Sequence, residues 1–436
     1  MLAKFKKKYI GDWDFYQKYL LLAIPMILQN AITNLVSFLD NIMVGQLGTE
    51  QMSGVAIVNQ LIFVYNLAIF GAVSAASIFG AQYFGKGNHK GHMYSFRFKL
   101  YATLLVTGGA ILLFLTKGSA LISLYLTDTV GNGATDLALQ YGLEYLAIMM
   151  VGLIPFAVNQ SYATNIKETG QTFIPMLASF VAVGTNAILD YLMIFGIGPF
   201  PELGVQGAAL ATVIARYIEA LIVVIWAHIH RGKNRYLEGA YTGFGIPLAE
   251  LKAILIKGFP LMMNEVLWAA GMTTVTQCYS VRGLDVVAGL NIASTITNLF
   301  NIVYLQLGSC ISIVVGQYLG AGKLEDAKDA DNKMIVFSVF CCVIMAALMF
   351  VVGGFFPGIY NTTEEIRELA TSFIAVSAII MPFCAFSHAS YFTLRSGGKT
   401  VVTFLFDSVF TWVIVVPAAY LLAHFTGLGI VSIYFL

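Results

Sequence analysis

Apolar runs long enough to cross a lipid bilayer dominate this sequence. The clearest are 100 to 127, 205 to 230 and 333 to 360, separated from their neighbours by short charged loops. A helix needs about 20 residues, at 1.5 Å rise each, to cross a hydrocarbon core of roughly 30 Å. The 436 residues therefore hold about twelve crossings with short connections. Only 11% of the residues are charged, against about a quarter in soluble domains, so a string of soluble domains is excluded.

Helices are expected at 16 to 44, 53 to 83, 94 to 117, 134 to 160, 171 to 196, 205 to 230, 251 to 280, 286 to 319, 333 to 357, 364 to 394 and 400 to 424. Loops on one side carry Lys4, Lys6, Lys7, Lys8, Lys86, Lys90, Lys167, Arg231, Lys233, Arg235, Lys323, Lys328, Lys333, Arg395 and Lys399. The other side has only Lys117, Arg282 and Arg367. Positive charge favours the cytoplasm, which predicts a multi-pass protein of the cell (plasma) membrane with a cytoplasmic N-terminus. The basic start MLAKFKKK reads as a retained tail, since the apolar run after it is long, carries Pro25 and lacks a cleavage-like ending. From Leu428 to Leu436 only nine residues remain, about half a crossing, so the twelfth helix is expected to be incomplete.

Sliding the chain by 235 residues aligns GAQYFGKG (80 to 87) with VGQYLGAG (315 to 322) without a gap. Between 48 and 87, eleven of forty positions are identical, among them Gly48 with Gly283, Gln82 with Gln317, Gly85 with Gly320 and Gly87 with Gly322. Pro25 and Pro260 fall in register too. Shared apolar composition would match Leu, Ile and Val rather than Gly, Gln, Asn and Ser, so the pattern points to duplication. Six helices between the copies make an even number, which predicts two parallel lobes, a cleft between them and alternating access. The expected organisation is a tail at 1–15, a first lobe at 16–231, a cytoplasmic linker at 232–250 and a second lobe at 251–436.

FLDNIMVGQLG (38 to 48), the GAQYFGKGN loop, TNAILDYLMIFGIG (185 to 198), LGVQGAALAT (203 to 212) and RSGGKT (395 to 400) together resemble the multidrug and toxic compound extrusion (MATE) family. The likeness runs over essentially the whole chain. It implies an all-α polytopic protein of two pseudo-symmetric six-helix bundles, in the multidrug/oligosaccharidyl-lipid/polysaccharide exporter superfamily, with efflux driven by Na+ or H+. The NorM branch of that family carries an acid on helix ten; this helix has none from Leu369 to Leu394, which favours a DinF-like plan.

Carboxylates inside a membrane are costly and mark function by default. The candidates are Asp40, Glu144, Asp190, Glu219, Glu265 and Asp407. Asp40 lies 22 residues beyond Lys18 and Asp190 lies 19 beyond Gln171, which places both about 30 Å from the cytoplasmic start of their helices. Asn30, Thr33, Asn34, Ser37 and Asp40 form a polar stripe expected to look into the bundle. Asn186 precedes Asp190 by one turn, and two carboxylates with an amide carbonyl make a hard oxygen site suited to Na+ or, by burial, to a proton. The resemblance carries cation coupling onto Asp40, Asn186 and Asp190; the alternative is a hydrogen-bonded packing cluster.

A second layer comprises Glu265, His388 and Asp407, seven or eight residues from Lys257, Arg395 and Lys399 and so roughly 10 to 12 Å from the cytoplasm. With Asn34 these are candidates for a substrate cavity or proton relay, set against a satisfied polar network. Glu219 has Arg216 three residues before it, which favours structural pairing, and Glu144 lacks an obvious partner. Pro25 inside helix one removes a backbone bond and bends it, and in the resembled family this helix bends during transport.

Several classes of function lack support. The net charge of +1 and the absence of a basic run give no hint of nucleic acid. Cys278, Cys310, Cys341, Cys342 and Cys384 lack metal-ligand spacing and are odd in number. RSGGKT imitates the end of a phosphate loop, but Thr393 stands where the loop needs glycine. Zinc-protease and nucleophile-elbow motifs are missing, so no enzyme, no cofactor and no metal other than a coupling Na+ is expected. The leading expectation is a monomeric antiporter in membrane lipid, exporting small amphipathic, often cationic compounds in exchange for Na+ or H+. The alternative is a flippase for a lipid-linked precursor or polysaccharide, which should need a basic cavity, whereas the predicted membrane interior holds more acids than bases.

Overall fold

A computed structural model describes residues 8–126 and 132–435. Among the described residues the chain is helical, with no strand. The helices are α1 (Trp13–Gly45), α2 (Thr49–Gly85), α3 (His89–Ser123), α4 (Asn132–Val151), α5 (Leu153–Glu168), α6 (Phe173–Ile194), α7 (Val205–Ile229), α8 (Leu248–Ser280), α9 (Leu284–Gly320), α10 (Leu324–Gly353), α11 (Glu364–Ser396), α12 (Thr400–Phe425) and α13 (Ile430–Phe435). Among the described residues ten of these are long and apolar enough to cross a membrane, and the bent pair α4 and α5, counted as one span, brings the number to eleven.

That eleventh span corrects the single helix expected over 134 to 160. The chain bends by 44° between α4 and α5, at Gly152, whose N–H closes a tight turn onto the Met149 carbonyl at 2.9 Å. Pro155, in the first turn of α5, needs no intrahelical donor there. Helix α12 also departs from regularity, with π-helical turns at Leu405–Val409 and Thr411–Val415.

Large apolar side chains point outward along these helices, such as Leu105, Leu112 and Leu115 on α3 and Phe340, Phe350 and Val351 on α10. On a soluble protein such a surface would drive aggregation; against acyl chains it is the expected one. Inside, the backbone contacts fall into two compact units. One holds Ile24–Gly80 and Asn88–Ile254; the other holds Leu255–Leu436 with Ala81–Gly87 and the described residues up to Ala23. The first is built on Val58, Ile69, Met149 and Leu153, the second on Ala293, Met349, Phe373 and Met381. The 232–250 segment packs as part of the first unit, burying Tyr236, Leu237 and Ala240 beside Phe96 and Ile166.

The duplicated glycines have a backbone reason. Gly48 and Gly283 stand immediately before α2 and α9 with φ of 143° and 126°, and Gly87 and Gly322 follow the same two helices with φ of 70° and 74°. These angles suit glycine alone among common residues. Between them, Ala81-x-x-x-Gly85 on α2 meets Gly316-x-x-x-Gly320 on α9. A Cβ on Gly85 would lie 2.0 Å from the Gln317 carbonyl oxygen, and one on Gly320 would lie 1.9 Å from that of Gln82. Each residue meets the counterpart of its own neighbour, 235 positions away, in the small-residue packing that lets membrane helices touch backbone to backbone.

Candidate functional site

Helices α1 and α6 bring Asp40 and Asp190 together in the first unit, close enough for each carboxyl to act on the other. Asp190 is 1% exposed and Asn186, one turn earlier, 6%. Asp40 Oδ1 and both oxygens of Asp190 are buried and accept no well-formed hydrogen bond. Asn186 lies beside Asp190 and donates its own Nδ2 to Thr212 Oγ1 on α7 at 3.4 Å. Tyr145 of α4 stands near both acids, its hydroxyl donating to Asn59 Oδ1 at 3.3 Å. Tyr145, which stands near the acids, and Thr212 and Asn59, which bond to Asn186 and to Tyr145, escape sequence reasoning because each comes from a different helix, with no local spacing to betray it.

The remaining stripe on α1 does not pack into the bundle as expected. Thr33, Asn34 and Ser37 are exposed, and each donates to a carbonyl one turn back: Thr33 to Gln29, Asn34 to Asn30 at 2.9 Å, Ser37 to Thr33. Back-bonding of this kind satisfies a short polar side chain without a partner helix. Pro25 is buried within a continuous α1, and the boundary between the two compact units falls two residues before it, between Ala23 and Ile24.

Glu219 pairs differently from expectation. Its Oε1 accepts from the Ser179 hydroxyl of α6, which in turn accepts from Gln29 Nε2 at 2.7 Å. Arg216 instead lies 5.1 Å from the Phe156 ring centroid and donates to the Gly152 carbonyl at 3.4 Å, holding the α4–α5 bend. Glu144 has two amide donors, Gln140 at 3.0 Å and Gln206 at 3.2 Å.

In the second unit, Glu265, His388 and Asp407 belong to one polar cluster organised by Asn264, which sequence reasoning missed. Asn264 is 1% exposed; its Nδ2 donates to Asp407 Oδ2 at 2.7 Å and, more weakly, to the Tyr391 hydroxyl at 3.3 Å. Its Oδ1 accepts from Ser408 Oγ at 2.7 Å. The π-helical turn at Leu405–Val409 makes this possible by presenting Asp407 and Ser408 side by side to one amide. Glu265 faces Arg395 at 4.0 Å, and His388 Nδ1 donates to the Cys384 carbonyl at 3.0 Å while its ring rests 4.7 Å from that of Tyr304. Asp407 lies close enough to both Glu265 and His388 to act on each electrostatically.

A further buried cluster in the first unit also went unseen. Lys99, Asn165, Glu168 and His92 are at most 2% exposed. Lys99 donates to Asn165 Oδ1 and pairs with Glu168 Oε1 at 2.5 Å, while His92 Nε2 lies 3.3 Å from Glu168 Oε2. Close approach of α2 at Gly80 leaves no room for a Cβ beside that carboxylate. Among the described residues no group of three His, Cys, Asp or Glu side chains has the geometry to hold a metal ion.

Ten long apolar helices among the described residues, with carboxylates buried along them, are those of an integral membrane protein. The sequence profile of the MatE family matches residues 25–192 and 260–421, two stretches that start at Pro25 and Pro260, and the chain belongs to that family. It is 23% identical over 413 residues, 94% of this chain and 86% of the relative, to the probable multidrug resistance protein NorM of Thermotoga maritima. Among solved structures, an outward-facing multidrug resistance MATE family transporter of the MOP superfamily matches with a TM-score of 0.85 at 20% identity, covering 97% of this chain and 91% of that one. A MATE crystallised in the bent conformation matches with a TM-score of 0.85 at 20% identity, covering 97% and 92%.

Proposed function

We propose that this protein is a secondary antiporter of the cell membrane, its N-terminus cytoplasmic, exporting small amphipathic and often cationic organic compounds in exchange for Na+ or H+. Its relative's name as a multidrug resistance protein and the match to a multidrug transporter support the export half. The coupling half rests on one observation: Asp40 and Asp190 stand close together, with Asp40 Oδ1 and both oxygens of Asp190 buried and accepting no well-formed hydrogen bond. Two carboxylates so placed repel unless positive charge lies between them, and either a proton or a Na+ ion supplies it. Asp40, Asp190 and the Asn186 carbonyl are the hard oxygen donors a Na+ ion would meet. Release of that charge leaves the repulsion between α1 and α6 uncompensated, which ties the arrangement of α1 to ion occupancy. Pro25, beside the boundary at which α1 passes from one compact unit to the other, is where the helix would yield. Within the second unit the Glu265, His388 and Asp407 cluster offers a polar site or relay for a cationic substrate, and Asn34 on the open face of α1 is a separate candidate for substrate contact within the first.

The test is efflux of a fluorescent organic cation from proteoliposomes under separate Na+ and pH gradients. Asp40→Asn and Asp190→Asn should each abolish gradient-driven efflux while leaving the folded protein intact. Full gradient-driven efflux by both variants would refute the assignment, and the gradient that drives the native protein names the ion.

A further inference from the structure

Beyond the end of α7 the chain runs HIHRGKNR from His228 to Arg235, five basic or imidazole side chains in eight residues. Arg231, Lys233 and Arg235 are exposed. Among the described residues one acid is ion-paired with them: Glu238, whose Oε1 lies 3.5 Å from Arg235 Nε. That leaves Arg231 and Lys233 as the cations most open to an outside partner.

This basic turn is rigid. Asn234, fully buried, donates to the Ala227 and His230 carbonyls at 3.4 and 3.3 Å. Tyr236 and Leu237 anchor the next turn in the core. Farther on, Arg97 of α3 donates to the carbonyls of Ala240, Gly245 and Gly239 at 2.9, 2.7 and 2.7 Å. The backbone that carries the charges is therefore held in place before any partner arrives, which lowers the entropy cost of binding.

The chemistry around them is that of a membrane interface. Trp226 stacks on His230 at 4.6 Å, Tyr241 stacks on His228 at 5.9 Å, and Arg231 lies near Tyr241. Trp and Tyr with basic neighbours favour the headgroup layer. Farther along the chain, Phe244 is 85% and Leu248 78% exposed, apolar side chains of the kind that enter the headgroup and acyl boundary of a bilayer.

We propose that the 228–235 turn is a binding site for the headgroup of an anionic phospholipid, its phosphate held by Arg231 and Lys233 with Phe244 and Leu248 against the acyl chains. The shared chemistry is a phosphate monoanion, and the apolar neighbours assign it to a lipid rather than to a free ion. Each cation near an anionic surface contributes about a fivefold preference.

The experiment titrates delipidated full-length protein with phosphatidylglycerol or phosphatidylcholine and counts bound lipid by native mass spectrometry. Phosphatidylglycerol should bind selectively, the Arg231→Ala/Lys233→Ala double variant should bind it about thirtyfold more weakly, and Lys90→Ala should bind it as the native protein does. The charge-preserving Arg231→Lys/Lys233→Arg variant should retain binding, separating loss of charge from loss of fold. Equal binding of the two lipids, native-like binding by the alanine double variant, or an equal loss in Lys90→Ala would overturn the site. Displacement of the lipid by millimolar glycerol 1-phosphate would overturn its assignment to a lipid.

Discussion

Lys99 on α3 is ion-paired with Glu168 in the last turn of α5, Nζ to Oε1 2.5 Å, with side-chain exposures of 0% and 3%. A pair this deep gains little over apolar residues of equal volume, yet losing one member strands a charge. Glu168→Gln should therefore lower stability by about 3 kcal/mol, whereas the double substitution Lys99→Met/Glu168→Leu should recover most of it. Unfolding midpoints in detergent measure both; a single variant as stable as the native protein would show the pair to be incidental.

The paired glycines of α2 and α9 allow a sharper test. Gly85→Ala and Gly320→Ala each push a methyl group into the opposing backbone and should each cost on the order of 1–3 kcal/mol. Because the two substitutions strike one contact, the double variant should cost less than the sum. Strictly additive midpoints would mean the two glycines act at separate places.

Arg97 is the peg for the 239–245 segment, with three carbonyls on one guanidinium. Arg97→Lys cannot reproduce that fork, so it should loosen the segment nearly as much as Arg97→Ala. Limited trypsin digestion reads this directly, as faster cleavage at Arg231, Lys233 or Arg235. An unchanged digestion pattern in both variants would show that buried Tyr236 and Leu237 hold the segment without the arginine.

Within the transport reading, Asn264 governs Asp407. Removing the amide in Asn264→Ala deprives the carboxylate of its 2.7 Å donor and should reduce efflux of a cationic dye at least as strongly as Asp407→Asn. Native-like dye efflux by Asn264→Ala, beside an inactive Asp407→Asn, would separate the amide from the acid.

Much of this architecture was legible in the residues because membrane helices obey length and hydropathy almost alone. The spans and the Gly48/Gly283 and Gly87/Gly322 repeats followed from counting along the chain, and counting also placed Asp40 and Asp190 at one depth. Local rules misled where a distant helix supplied a better partner. Arg216 and Glu219, three apart, should pair by spacing, but Ser179 takes the acid and Gly152 the guanidinium. The α1 stripe read as inward-facing because its polar residues share one side, yet Thr33, Asn34 and Ser37 bond to their own helix. Lys99 and Glu168 gave no signal, being 69 residues apart and each near the end of an apolar run. The bend at Gly152 was hidden because glycine within a hydrophobic run is common in membrane helices.

The reciprocal seat of Gly85 on Gln317 and of Gly320 on Gln82 has the form of an isologous dimer interface, in which each surface is its own complement. Carrying both surfaces on a single polypeptide removes the concentration dependence that such an interface would otherwise have. The end of α2 and the end of α9 meet in fixed one-to-one ratio at any level of expression.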